Sequence, residues 1–120
     1  MITKKNTIIP IFDYKLTIVI FDDWKELEGI IPDNELDNEG RAITISRKGA
    51  SLVAVNAKCG SSIVHEAEHI KNALWWHIGY RPQLDNDEID AYVIAYIYDK
   101  ITNVYYKHPS VRDKIVKDTN

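Results

Sequence analysis

Two histidines four residues apart, with a glutamate beside the first, are the residues of this chain best suited to chemistry. They are His65, Glu66 and His69, in the stretch Ser61-Ser62-Ile63-Val64-His65-Glu66-Ala67-Glu68-His69, an H-E-x-x-H pattern. On a helix, positions i and i+4 lie one turn apart on one face. Two imidazoles so placed can hold one zinc ion at about 2.0–2.1 Å each. Glu66 falls next to that pair, where a carboxylate can take a proton from water activated by the metal. The chemistry expected of the trio is hydrolysis, with zinc as cofactor and Glu66 as general base.

A helix must position them, and the pattern predicts one from Ser61 to about Ile78. Ile63, Ala67, Ile70 and Leu74 recur at helical spacing and form a core stripe. His65, His69, Asn72 and Trp76 fall on the opposite side. Glu68 and Lys71 fall on a third sector, expected to be solvated. Ser61 or Ser62 can cap the first free N–H groups, and Gly79 can end the helix.

A catalytic zinc usually takes three protein ligands and a water. The third is expected from a second helix, predicted from Asp87 to about Tyr106. Its apolar positions, Ile89, Val93, Ile94, Ile97 and Ile101, cover more than half its circumference, as in the most buried helix of a small domain. Glu88, 19 residues beyond His69, is the first choice as ligand, with Asp87 and Asp90 as alternatives. Asp90 also suits a partner that orients an imidazole, and Glu88 also suits a capping box with Asp85. Glu88 shares a face with Ala91, Tyr92, Ala95 and Asp99, and the small alanines would let the helices approach. Tyr92 is the candidate donor to the oxyanion, with His77 and Tyr80 as alternatives. Cys59, close before the motif, reads as a small apolar residue at a strand end rather than a ligand.

Strands precede the two helices. Ile8 to Phe21 reads as β structure: Pro10 suits an edge or a strand start, and Tyr14, Leu16, Ile18 and Ile20 alternate with Lys15, Thr17 and Val19. Arg41 to Ser46 and Ser51 to Ala57 flank Arg47-Lys48-Gly49-Ala50, a hairpin in which Gly49 can take positive φ. The expectation is an α+β fold: a small three-stranded sheet followed by two packed helices. The Ser51 to Ala57 strand is expected to offer an exposed edge beside the site for strand addition. Between the strands, 22–40 carries Asp22, Asp23, Glu26, Glu28, Asp33, Glu35, Asp37 and Glu39 against Lys25. It reads as a solvated loop, or as a flap over the site that favours basic substrates, anchored by Trp24, Ile30 and Ile31. The segment 109–120 reads as a charged tail with a short final helix.

Composition bounds the class. A chain of 120 residues, 45% hydrophobic and 28% charged, suits one domain, 1–120, with a modest core. The net charge of −3 argues against a general nucleic-acid binder. A lone cysteine excludes an intrachain disulfide, and the chain has neither an apolar run long enough for a membrane span nor a signal-peptide pattern. A cytoplasmic protein is the expectation, with no membrane or nucleic acid as partner.

His65-Glu66-x-x-His69 followed by Asp87-Glu88-x-x-Ala91-Tyr92 resembles the small zincin-like metallopeptidases of the gluzincin type. It looks most like the short phage- or prophage-encoded members, in which a few strands precede the two helices. The resemblance covers roughly Arg41 to Tyr106. It implies a zinc peptidase acting on a peptide or protein substrate, with His65, His69 and Glu88 as ligands and Glu66 as general base. The chain lacks the N-E-x-x-S-D form of the thermolysin second motif and the third histidine of the metzincins. The alternative is a protein that keeps this scaffold without useful turnover and binds a host protein.

Overall fold

The computed structural model describes residues 1–35 and 40–119. It is an α+β fold of one four-stranded sheet and three helices. The strands are β1 (Thr3–Ile9), β2 (Tyr14–Phe21), β3 (Ala42–Arg47) and β4 (Ala50–Asn56); the helices are α1 (Ile63–Ile78), α2 (Glu88–Lys107) and α3 (Pro109–Thr119). Among the described residues no helix is long and apolar enough to cross a membrane.

The sheet has four strands where the apolar pattern predicts three, because the stretch up to Phe21 folds back on itself. Pro10 sits in the turn between β1 and β2, directly after the edge strand β1. β1 is an edge strand whose Lys4, Lys5, Asn6 and Thr7 show no apolar alternation. Its pairing with β2, not burial, holds it in place.

The strand order is β1-β2-β4-β3. β4 is therefore central, parallel to β2 and antiparallel to β3. This corrects the expectation that Ser51 to Ala57 offers a free edge; β3 does. Gly49 takes a φ of 76° in the β3–β4 turn, as its position in the hairpin requires.

Both faces of the sheet are covered. On one, Leu16, Ile18, Ile20, Val53 and Val55 meet Ile63, Ala67, Ile70 and Leu74 of α1 and Val93, Ile97 and Ile101 of α2. α1 lies against β3 and β4, and α2 against β1 and β2. On the other face, Val19, Phe21 and Ala54 are covered by Trp24, Leu27 and Ile31. Trp24, Leu27 and Ile31 thus seat the middle of the acidic segment on the side of the sheet opposite the helices, where it is no flap over α1, while Asp22 reaches the α2–α3 junction and Glu35 reaches Arg47. The segment's continuation, 36–39, lies outside the described residues.

α1 begins after a tight turn, Gly60–Ser62, and ends at Gly79, whose φ of 75° lets its N–H reach back to the carbonyls of Trp75 and Trp76. Ser62 occupies the N-cap position without a side-chain cap bond. Tyr105 of α2 fixes the start of the helix by donating its hydroxyl to the Ala57 carbonyl at 2.6 Å. A methyl on Gly60 would stand 2.9 Å from the Tyr105 ring and hydroxyl. Gly60→Ala is expected to cost about 1–3 kcal/mol, read as a lower denaturant midpoint with unchanged slope.

α2 is one-sided, not the most buried element. Val93, Ile97, Ile101, Val104 and Tyr105 are inside, while Ile89, Tyr92, Tyr98 and Tyr106 are exposed. Its phase is set by Asp90, which accepts from Trp75 Nε1 at 2.7 Å and Lys71 Nζ at 2.9 Å. Lys71 also donates to Glu68 and is buried, so its sector of α1 is an interhelical contact rather than a solvated surface. The C-terminal segment, read from sequence as a charged tail with a short final helix, carries α3 over Pro109–Thr119. Val111 tucks into the main core, and buried His108 at the α2–α3 junction bonds Thr3 Oγ1 and Asp22 Oδ1.

Candidate functional site

α1 turns one face into the sheet and the next toward the edge strand β3. His65 and His69 stand on that flank, exposed, with their Nε2 atoms 3.0 Å apart. Their rings meet edge to face at 80°. Glu66 points inward and is only 6% exposed. Thr44 of β3 donates its hydroxyl to one Glu66 carboxylate oxygen at 2.8 Å. The other oxygen lies 3.9 Å from His65 Nε2. The carboxylate is thus held from one side and left open toward the imidazoles.

A cleft of about 410 Å³ covers the trio, lined by Ala42, Ile43, Thr44, Ser46, His65, Glu66 and His69. Thr44 and Ser46 are site residues that the sequence reading did not single out. Their signal was present: Ala42, Thr44 and Ser46 alternate as small or polar residues on the strand face toward α1. The Asn56 N–H bonds the Arg41 carbonyl at 3.0 Å, so Arg41 and Asn56 form a hydrogen-bonded pair. Antiparallel alternation then turns the backbone groups of Ala42, Thr44 and Ser46 away from β4, toward the open edge.

The histidine pair fits two corners of a zinc site. Two nitrogens each about 2.0–2.1 Å from one tetrahedral ion lie roughly 3.3 Å apart. The observed separation is a few tenths of an ångström shorter, the length of a hydrogen bond from one imidazole to the other. No other histidine, cysteine, aspartate or glutamate among the described residues completes a three-ligand group with them.

Glu88 stands in the first turn of α2 on its exposed face, together with Ala91, Tyr92, Ala95 and Asp99. The turn that presents Asp90 to Lys71 and Trp75 points Glu88 away from α1. Asp90 is occupied by those two bonds, and Asp87 is the N-cap residue, exposed and without a cap bond from its side chain. The capping box between Asp85 and Glu88 does not form, since the helix starts two residues later.

The oxyanion candidates are likewise dispersed. Tyr92 is 72% exposed on the outer face of α2. Tyr80 packs against Trp75 with the rings tilted by 53° and their centres 4.6 Å apart. His77 packs edge to face on Tyr14. None of the three lines the cleft around His65, Glu66 and His69. Cys59 is half-buried and unbonded to sulfur, at the entry to the turn before α1.

Comparison with family models, curated proteins and solved structures finds no match for this chain.

Proposed function

We propose that the protein is a zinc-dependent peptidase of minimal zincin-like fold, with Glu66 as general base and a peptide or protein as substrate. One observation carries this reading: two imidazole nitrogens converge at 3.0 Å beside a buried carboxylate that a strand hydroxyl holds in place. An ordinary surface helix has no cause to bury Glu66 next to two exposed histidines.

His65 and His69 would hold the ion through their Nε2 atoms. When bound, zinc supplies Lewis acidity, making water acidic near neutral pH and polarising a carbonyl. Thr44 keeps Glu66 oriented with one oxygen facing the cleft. Glu66 takes the proton from the attacking water and delivers it to the leaving amine. The free backbone groups of β3 suit an extended substrate, which would add to the sheet as a further strand.

Glu88 remains the third ligand in this reading, and it reaches the histidines only if the first turn of α2 re-seats. A second reading, a zincin scaffold that binds a partner without turnover, is favoured by the outward position of Glu88.

Metal content tests the proposal. Protein prepared without added zinc is expected to carry about one ion per chain. His65→Ala and His69→Ala should each weaken binding by at least the ~100-fold that marks the upper end for losing an outer partner of a ligand. Folded wild type with no affinity for zinc would end the proposal. For Glu88→Ala, undiminished affinity would remove Glu88 from the ligand set and leave the histidine pair intact.

A further inference from the structure

We infer that this cleft selects extended peptides with an acidic side chain three or four residues from the bond brought to Glu66. The inference rests on the peptidase reading and names its substrate class. The cleft does not end at the histidines. A second depression of about 480 Å³ continues it, lined by Ser46, Arg47, Lys48, Ala73, Trp76 and His77. Ser46 belongs to both halves.

Two independent rulers give the distance. Along β3, its last residue Arg47 lies three residues beyond Thr44, about 10 Å at the rise of a strand, and Lys48 follows in the turn. Along α1, Trp76 lies seven residues beyond His69, about 10 Å at the helical rise and on the same side. Strand and helix therefore run side by side, with reactive groups at one end and Trp76 and Lys48 at the other. A chain paired to the β3 edge would carry a side chain three or four positions from the reacting carbonyl into that far end.

The chemistry of the far end is cationic and aromatic. Trp76 is 88% exposed, while Trp24 and Trp75 are buried. Arg47 and Lys48 stand beside it, with His77 behind. Arg47 is shared with Glu35 at 3.0 Å, which leaves Lys48 as the main attraction for a carboxylate. Among the described residues no carboxylate lines this half. A glutamate or aspartate fits there, its stem on the indole and its charge toward Lys48. This reverses the preference for basic substrates that the acidic segment suggests in sequence, since Trp24, Leu27 and Ile31 seat that segment on the opposite face of the sheet and its Glu35 is already paired with Arg47.

Binding, not cleavage, tests the inference, so that it can fail separately from the peptidase reading. The probe is a set of capped, fluorescent octapeptide mixtures, each random except for one scanned position fixed as Glu, Gln or Lys. They are titrated into zinc-supplemented Glu66→Gln protein, which keeps the cleft without its base. At the best position, Glu mixtures should bind about fivefold tighter than Lys mixtures, and the difference should shrink with added salt. Lys48→Glu should invert the order, and Trp76→Ala should weaken every mixture roughly fivefold. Equal binding of Glu and Lys mixtures, an order unmoved by Lys48→Glu, or no binding by any mixture would overturn it. Wild type that cuts no peptide, alongside the acidic preference in binding, would overturn the peptidase reading alone.

Discussion

Glu66→Gln is expected to lower peptide turnover by about 10²–10⁴-fold while leaving zinc content and stability near those of the wild type. The amide is isosteric with the carboxylate, so its oxygen can still accept the Thr44 hydroxyl that Glu66 accepts at 2.8 Å. It cannot take a proton from water, which is the one property the proposed mechanism demands of residue 66. Because His65 and His69 are untouched, the metal should remain. Steady-state rates, metal analysis and a thermal melt on the same preparation separate these effects. A variant with unchanged zinc and fold but wild-type turnover would remove Glu66 from the chemistry. Loss of fold or zinc would show instead that the buried carboxylate is structural.

Asp90→Ala is expected to be the most destabilising single change outside the apolar core. It strands Lys71, a buried ammonium, with only the more exposed Glu68 as partner. Removing one member of a buried pair costs about 3–5 kcal/mol; the remaining Glu68 places this case near the low end, about 3 kcal/mol or roughly 10 °C in melting temperature. The Trp75 indole N–H also loses its acceptor. Asp90→Asn should fall between wild type and alanine, since an amide oxygen still accepts from Trp75.

The cost should depend on pH. Burial raises the Asp90 carboxyl, but hydrogen bonds from Lys71 and Trp75 outweigh it, leaving the carboxyl below its ordinary 3.8. The folded state thus binds fewer protons than the unfolded one just below that value. The stabilisation is complete above pH 3.8 and is lost as pH falls through the folded value. For Lys71, burial opposes protonation, but Asp90 and Glu68 prevail and raise it above its ordinary 10.5. That contribution is complete below pH 10.5 and is lost as pH rises through the folded value. Wild type and Asp90→Ala should therefore converge in denaturant midpoint toward both extremes. A gap that stays constant from acid to neutral pH would assign the cost to packing rather than charge.

Much of the site was legible because it is local. The H-E-x-x-H spacing forces His65 and His69 onto one flank of α1, and the stripe Ile63, Ala67, Ile70, Leu74 settles which flank faces the core. Gly49 and Gly79 marked a turn and a helix end because only a residue without a Cβ takes those backbone angles freely. The rest depends on tertiary choices that periodicity does not encode. Two adjacent strands of similar pattern, β3 and β4, do not say which is central. That is decided when β2 pairs parallel with β4.

α2 offers apolar residues over much of its circumference, from exposed Tyr92 on one side through buried Val93 and Ile97 to exposed Tyr98 on another. Asp90 selects among these phases through Trp75 and Lys71, and in doing so turns Glu88 outward. Lys71 looked like a solvated residue because its partner lies on another helix. The polar strand β1 was missed because an edge strand needs ladder bonds more than apolar alternation.

The most direct test of the central claim is a comparison of newly formed peptide termini in a cell lysate. Wild type is incubated as purified, with a chelator, and with the chelator followed by excess zinc; Glu66→Gln serves as control. The account predicts termini that appear with wild type, vanish with the chelator, return with zinc and are absent with Glu66→Gln. Termini that persist under chelation or appear equally with Glu66→Gln would contradict it. So would zinc-loaded wild type that captures the same lysate protein as Glu66→Gln and cuts nothing.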